Sequence, residues 1–391
     1  MEPHSGKKRV AVVGAGIIGL SAAWEASRRG HRVTLIDPRP ASGATYAAAG
    51  MLAPASEFHF QEEGLLALTR ESAALYPDFL ASVPGWVTNP NENPYQASGT
   101  LVVGVDSADR AALGDLYRQQ RDLGLDVEEM TTGQARRREP MLGTTLSGAF
   151  LAPSDHSVDP RSLAEHLLQA LRGAGSVIEC AATALDGGDD GVHGVHLADG
   201  STVEADEVIL ANGVAAATML GLPAGANFQL RPVYGDILRL RVPPALRPLL
   251  NGTVRGLVRG MAVYLVPRVD GSLVIGATQR EDGNAGVSAG GVHQLLRDAQ
   301  QLVPAVAELE FIEATCRARP GSLDNAPLLG RIPGAGSNVV PGLIIATGFF
   351  RHGVLLAPLA ARVCADLLDG QEHPVYRRYA PGPHRYQGAA L

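Results

Sequence analysis

Arg9-Val-Ala-Val-Val-Gly-Ala-Gly-Ile-Ile-Gly19 runs from an apolar segment into a Gly-x-Gly-x-x-Gly turn, and Asp37 follows Gly19 by eighteen residues, closing a second apolar run, Arg32 to Ile36. A buried strand, a glycine turn, a helix and a strand ending in an acid make a phosphate-binding βαβ unit. Gly14 permits the tight turn, Gly16 lets the backbone approach a pyrophosphate, and Gly19 lets the helix lie close on the strand. The helix start then offers free amides and the positive end of its dipole to the anion. Asp37 is placed to accept hydrogen bonds from ribose hydroxyls. Glycine triplets arise by chance in a chain with 46 glycines, but here strand, helix and acid all stand where a bound dinucleotide needs them.

Composition narrows the class. A chain of 391 residues has room for two or three domains with real cores. Hydrophobic residues make up 46% and charged residues 19%, ordinary values for a globular protein. The net charge of −7 argues against a nucleic-acid partner. Cys180, Cys316 and Cys364 are widely spaced, show no metal-ligand pattern and read as buried thiols in a reducing compartment. Lys7, Lys8 and Arg9 before an apolar run imitate a secretory signal, but that run is the nucleotide site itself. No apolar stretch reaches the length a membrane span needs, so the expectation is a soluble, cytoplasmic protein without a membrane partner.

Beyond the βαβ unit, Ala41 to Pro54 is small, apolar and nearly uncharged, which suits a backbone pressed against something large. Helices are expected over Glu62 to Ala81, Asp106 to Leu123 on an Asp-Ser cap, Ser162 to Arg172 after Asp159-Pro-Arg, and His352 to Leu368. Buried strands are expected over Glu207 to Gly213, ending beside the nucleotide, and Gly342 to Gly348, with a hairpin over Gly187 to Gly200. Residues from about Gln229 to Thr278 alternate apolar and polar, as antiparallel strands with one solvated face do. The expected fold is α/β: a Rossmann-like FAD-binding domain with a second, α+β substrate domain built on a mainly antiparallel sheet. The expected division gives 1–84, 148–228 and 318–391 to the first and 85–147 and 229–317 to the second. With no second glycine fingerprint for a nicotinamide cofactor, the single one points to a resident FAD that takes electrons directly from a small substrate.

Five blocks occur in order: Gly14-Ala-Gly-Ile-Ile-Gly19, Ala47-Ala-Ala-Gly-Met-Leu-Ala-Pro54, Tyr264-Leu-Val-Pro-Arg268 with Gly276-Ala-Thr278, Arg319-Pro-Gly-Ser-Leu-Asp324, and Gly348-Phe-Phe-Arg-His-Gly-Val-Leu-Leu-Ala-Pro358. Together they resemble the D-amino-acid-oxidase superfamily of flavoproteins, closest to its glycine oxidase branch associated with thiamine biosynthesis. The resemblance spans nearly the whole chain. It implies non-covalent FAD, a small amino-acid substrate, O2 as electron acceptor and a homo-oligomer, dimer or tetramer.

The same resemblance distributes roles. Arg319 would clamp the substrate carboxylate, as the planar fork of arginine suits both oxygens. Arg351 would lie near flavin and substrate, and Tyr264 would turn its hydroxyl to the carboxylate. Each also has an ordinary reading: the arginines would neutralise internal acids and Tyr264 would be a packed aromatic. Gln279, Phe349 and His352 depart from residues frequent in the family, and Gln279 is expected in the substrate pocket. For FAD, Gly14, Gly16, Ile17, Ile18 and Gly19 form the pyrophosphate turn, with Asp37 and Pro38 at the ribose. Ala44, Thr45, Ala49, Gly50 and Met51 match the segment along the flavin, and Thr183 matches a backbone contact on the adenine side. Phe349, Phe350, Arg351, His352, Gly353, Val354 and Leu355 match the segment closing over the isoalloxazine.

His156, His193 and His196 read as surface residues, and no base is required, since a neutral amine can lose hydride as its lone pair forms the imine. Cys316 stands where some related amine oxidases attach flavin covalently, but reads as a buried thiol. The expected reaction is oxidative deamination of glycine, sarcosine and small D-amino acids. The alternatives are a D-amino-acid or D-proline dehydrogenase passing electrons to a quinone, and a non-enzymatic flavin-binding redox sensor.

Overall fold

The structure, a computed structural model, describes residues 6–58, 62–188, 190–223, 226, 228–333, 339–371 and 377–382. Arg9–Val13 lies inside a six-stranded sheet ordered Leu328–Pro333, Val339–Thr347, Glu207–Leu210, Arg9–Val13, Arg32–Ile36, Ser176–Ile178. Neighbours are parallel except Leu328–Pro333, which runs antiparallel along its edge. Both faces of this sheet are covered, so its central strands read as runs of apolar residues, such as Val10–Val13 and Val208–Leu210, rather than alternating. Val10 and Val12 face the helices Ile17–Arg28, Pro160–Ala174 and Ala357–Leu368, while Ala11 and Val13 face an antiparallel layer of Ala182–Gly188, Gly191–Leu197 and Thr202–Glu204. Glu207, at the start of its strand, ties this sheet together through Lys8 at 2.9 Å and both nitrogens of Arg331 at 2.8 and 2.9 Å.

An eight-stranded sheet forms the second layer, ordered Glu310–Gly321, Arg231–Arg241, Ser272–Gly276, Met261–Pro267, Thr253–Val258, Thr100–Gly104, Gly148–Ala152, Glu128–Met130. It is antiparallel throughout except where Thr253–Val258 meets Thr100–Gly104. Leu295, Ala299 and Leu302 of the helix Ala289–Leu302 cover one face. The other face turns Ile237, Val266 and Val274 to the small apolar segment Ala47–Ala53.

The α/β class and the mainly antiparallel second sheet stand as expected. Two sheet memberships fall across the expected division: Gly148–Ala152 pairs with Thr100–Gly104, and Glu310–Gly321 continues past residue 318 beside Arg231–Arg241. Three local expectations are corrected. The last helix starts at Ala357, set by Pro358 in its first turn, and only a short 3-10 turn spans Phe350–His352. The hairpin at 187–200 is the middle of a three-stranded layer whose first turn joins Gly188 to Gly191. Cys180 is half-buried rather than buried, unlike Cys316 and Cys364.

The glycine turn itself is a backbone-to-backbone contact. Gly14 has φ +99°, and a Cβ there would stand 2.6 Å from the Ala211 carbonyl oxygen; at Gly19 it would stand 1.8 Å from the Gly14 oxygen. Gly19→Ala must therefore push the helix off its strand. Overpacking of this kind typically costs about 1–3 kcal/mol, so the variant should unfold at lower urea than the parent protein. An unchanged midpoint would show that the helix can shift freely.

Candidate active site

The apolar face of the eight-stranded sheet and the strand ends of the six-stranded sheet enclose a cavity of about 750 Å3. One end is the glycine turn: Gly14, Gly16, Ile17 and Ile18 line it with Asp37 and Pro38. A Cβ on Gly16 would meet only Thr45 Oγ1, at 3.4 Å, so the protein leaves open the space beside this glycine where the cavity begins. The Ile17 amide donates to Thr45 Oγ1 at 2.9 Å, which ties the helix start to the next segment of the wall. Asp37 accepts from the Ala15 and Arg39 amides at 2.7 and 2.8 Å, holding its carboxylate at the turn. Asn212 Oδ1, at the end of the adjacent strand, is buried without a hydrogen-bond partner among the described residues and belongs to the same wall. A close-approach glycine, a helix start and an unspent amide oxygen fit a dinucleotide.

The middle of the cavity runs along Ala44, Thr45, Ala49, Gly50 and Met51, facing Phe349, Phe350, Gly353 and Val354 across it. This segment is held from behind by arginines of both layers. Arg268 donates to the Ala49 and Val158 carbonyls, and Arg161 and Arg239 donate to the Tyr46 carbonyl at 2.9 and 3.3 Å. Arg161 lies 3.5 Å above the Tyr46 ring and, like Arg239, pairs with Glu313. Burial, with the charges of Arg161 and Arg268, pulls the Arg239 guanidinium down to about 10.

At the far end Tyr264, Gln279, Arg319 and Arg351 line the wall, joined by Thr278, Arg255 and Glu57, which the sequence did not assign to the site. The two expected arginines differ. Arg351 Nη2 is paired with Glu62 at 2.5 Å, so it does neutralise an internal acid. Arg319 has no carboxylate within 4.0 Å among the described residues; it donates to the Thr278 carbonyl at 3.3 Å, and its charge acts on the Tyr264 hydroxyl. Thr278 is fixed in turn by Asp236, fully buried, whose amide donates to Thr278 Oγ1 at 2.7 Å and whose carboxylate accepts from it at 2.9 Å. Burial pushes the Tyr264 hydroxyl up to about 12, with Glu57 adding to the rise and Arg319 and Arg255 opposing it.

Several expected site residues lie elsewhere. Gly19 is spent on packing, with no room at its Cα for anything but the Gly14 oxygen. Thr183 is exposed and donates to the His196 carbonyl, while Ala181 and Ala182 take the cavity wall. His352 is buried 3.8 Å from Glu62, behind Arg351. Leu355 is in the helical core, its carbonyl accepting from Ser72. His156 is half-buried against Tyr95 rather than on the surface; His193 and His196 are exposed. Cys316 takes a hydrogen bond from Arg280 at 3.4 Å and does not line the cavity.

With this geometry in view, the chain matches the family described as FAD dependent oxidoreductase (DAO) over residues 9–367. It is 34% identical over 369 residues to the glycine oxidase of Geobacillus kaustophilus, covering 93% of each chain. A crystal structure of glycine oxidase from that organism superposes with a TM-score of 0.84 at 31% identity, over 97% of this chain and 99% of the other. A putative thiamine biosynthesis oxidoreductase of Rhizobium etli is 32% identical over 94% of this chain and 99% of its own length. The bifunctional protein ThiO/ThiG of Trichormus variabilis is 29% identical over 93% of this chain, which spans only about half, 53%, of that longer protein. Among the described residues no helix is long and apolar enough to cross a membrane, and no group of three or more His, Cys, Asp or Glu is placed to hold a metal. The chain belongs to the DAO family of FAD-dependent oxidoreductases, enzymes of the flavoprotein superfamily that its sequence blocks resemble.

Proposed function

We propose that the protein oxidises glycine, and with it sarcosine and small D-amino acids, at the Cα–N bond. Glycine, water and O2 give glyoxylate, ammonia and H2O2, with the imine formed before hydrolysis serving thiamine thiazole synthesis. The observation that carries this reading is Arg319: a cavity-facing guanidinium with no acid partner among the described residues, bonded instead to the Thr278 carbonyl and lying near the Tyr264 hydroxyl. Such a group calls for an anion, and an amino acid brings one as its carboxylate.

In this reading the Gly14–Ile18 turn holds the FAD pyrophosphate, with Asp37 at the ribose, and residues 44–51 and 349–354 flank the flavin. FAD supplies the acceptor for the hydride leaving Cα. The protein's own part is placement. Arg319 fixes the carboxylate through two prongs, and the Tyr264 hydroxyl, held protonated by burial, donates to one of its oxygens. The apolar packing of Ala47, Ala49 and Met51 on Ile237 and Val266 keeps water from the transferring hydride. No side chain need take a proton from carbon. Cys316, off the cavity wall, supports non-covalent FAD. The chain divides, on this view, into an FAD domain on the six-stranded sheet and a substrate domain on the eight-stranded one, in a cytoplasmic homo-oligomer.

Peroxide release with glycine, sarcosine and D-alanine is the direct test. A yellow protein that none of them reduces under anaerobic conditions would sink the reading, and turnover with a dye but never with O2 would favour the dehydrogenase. Gly16→Val should fold, because the protein itself leaves room there, yet purify colourless because the side chain occupies the pyrophosphate space. Full flavin content in that variant would move the site.

Arg319→Ala should keep its flavin and lose substrate. Truncating one partner of a shielded charge pair typically costs about 2–5 kcal/mol, so binding of a small carboxylate should weaken roughly 30- to several-thousand-fold. Arg319→Lys should recover only part, as an ammonium lacks the fork. Binding and turnover that match the parent enzyme would place the carboxylate elsewhere.

Tyr264 sets a pH prediction. Its hydroxyl titrates at about 12, so the protonated donor persists well past the pH at which a free tyrosine ionises and is lost only as pH rises through about 12. Carboxylate affinity should show no downward break between about pH 9 and 11, and Tyr264→Phe should lower it at every pH alike. A break near pH 10 that the phenylalanine variant abolishes would contradict the placement.

A further inference from the structure

Four arginines line the cavity. Arg255 is paired with Glu57 at 3.0 Å, Arg351 with Glu62, and Arg319 faces the substrate end. The fourth, Arg317, stands two residues before Arg319 on Glu310–Gly321, so both side chains leave the same face of the strand. Arg317 is half-buried, with no carboxylate within 4.0 Å of it among the described residues. Its Nε donates to the Ser42 carbonyl at 2.9 Å and its Nη1 to the Cys316 carbonyl at 2.8 Å. A guanidinium has five N–H groups, so three are left over, both of those on Nη2 included.

These contacts hold the guanidinium at the glycine-turn end. Ser42 belongs to a stretch riveted to the turn on both sides: the Ala41 amide donates to the Ala15 carbonyl at 2.9 Å, and the Ile17 amide donates to Thr45 Oγ1 at 2.9 Å. Arg317 thus reaches from the eight-stranded sheet to the part of the wall that the turn begins. That part is otherwise without cations. The wall residues of Gly14 to Ile18, Gly43 to Met51 and Ala211 to Ala215 include no basic side chain, and the charged one beside them, Asp37, is acidic. A dinucleotide carries a negative charge on each phosphate, which neutral amides and a helix dipole offset only in part. Nor does the tether to Ser42 account for the arginine. Any neutral donor satisfies a carbonyl, whereas a cation partly withdrawn from water without an acid is costly.

Resting on the placement of FAD proposed above, we propose that Arg317 is the cation that clamps the FAD pyrophosphate from the eight-stranded sheet. The glycine turn supplies amides and the dipole; Arg317 supplies formal charge through its unspent prongs, which suit the oxygens of a phosphate. One strand then answers both anions, Arg317 the cofactor's and Arg319 the substrate's. Arg317 is a cofactor-binding residue with no part in the electron transfer.

Flavin release from the holoenzyme tests the clamp. Serial dilution frees FAD, and its regained fluorescence gives a dissociation constant. Arg317→Met should raise that constant about ten- to a hundredfold. Arg317→Lys keeps the charge and should recover part of the loss. Arg317→Gln keeps a neutral donor for the Ser42 carbonyl and should hold FAD no better than the methionine variant; a residue that merely tethered Ser42 would be rescued by glutamine. Added salt should weaken FAD binding more steeply in the arginine and lysine proteins than in the two uncharged variants. A constant within about threefold of the parent's in Arg317→Met, or full recovery in Arg317→Gln, overturns the proposal. If Arg317→Met keeps its FAD while Gly16→Val is colourless, the clamp falls and the placement of the pyrophosphate stands. A fully yellow Gly16→Val removes the placement itself.

Discussion

The contact between Gly19 and the carbonyl of Gly14 sets the geometry of everything at the nucleotide end. No side chain fits between them, so the helix Ile17–Arg28 begins where its strand stops. Its N-terminus, and so the positive end of its dipole, therefore lies on the cavity wall at Gly16 to Ile18. The Ile17 amide then fixes Thr45, and with it the start of the flavin-facing segment. One steric constraint thus positions strand, helix and the next length of wall together. Loosening it would move the anion site and the flavin segment at once.

Charge organises the opposite end. An arginine partly withdrawn from water without an acid is costly, and among the described residues Arg319 bonds a neutral dipole, the Thr278 carbonyl, with the Tyr264 hydroxyl nearby. Even the room it occupies depends on Gly235, because a Cβ there would overlap its guanidinium. Asp236, one residue on, is spent on Thr278 and Arg280 and so does not neutralise Arg319. The acid that could have quenched the site is held behind the wall, and the cation is left for substrate. Arg351 shows the contrast, since Glu62 already answers its charge.

Much of this was legible in the sequence because it depends on local pattern. Gly14 to Asp37 is a contiguous unit whose spacing follows from strand and helix geometry, and unbroken apolar runs announced a sheet covered on both faces. The Arg319 block could be placed because its residue types match a known family order. Glu57 and Arg255 were not legible. They are separated by nearly two hundred residues, and each alone looks like an ordinary surface charge; only the register that sets Arg255 against Tyr264 reveals them. Thr183 failed for another reason: the strand Ala182–Gly188 that carries it was not expected there, and the wall is made by Ala181 and Ala182 just before it.

The same reasoning accounts for the arginines behind the flavin segment. Residues 44–51 carry almost no polar side chains, so their backbone carbonyls need partners once buried. Arg161, Arg239 and Arg268 arrive from distant parts of the chain and give those partners to Tyr46 and Ala49. Glu313 and Asp159 pair with these arginines, and Asp270 adds its charge near Arg268. The arginines stand behind the segment that faces the flavin in surroundings dry enough to pull Arg239 down to about 10. A segment of small residues can shape a flat cavity without filling it, but it cannot hold itself in place. Arg239 and Arg268 of the second layer, with Arg161 of the first, supply that rigidity and so join the two layers at this segment.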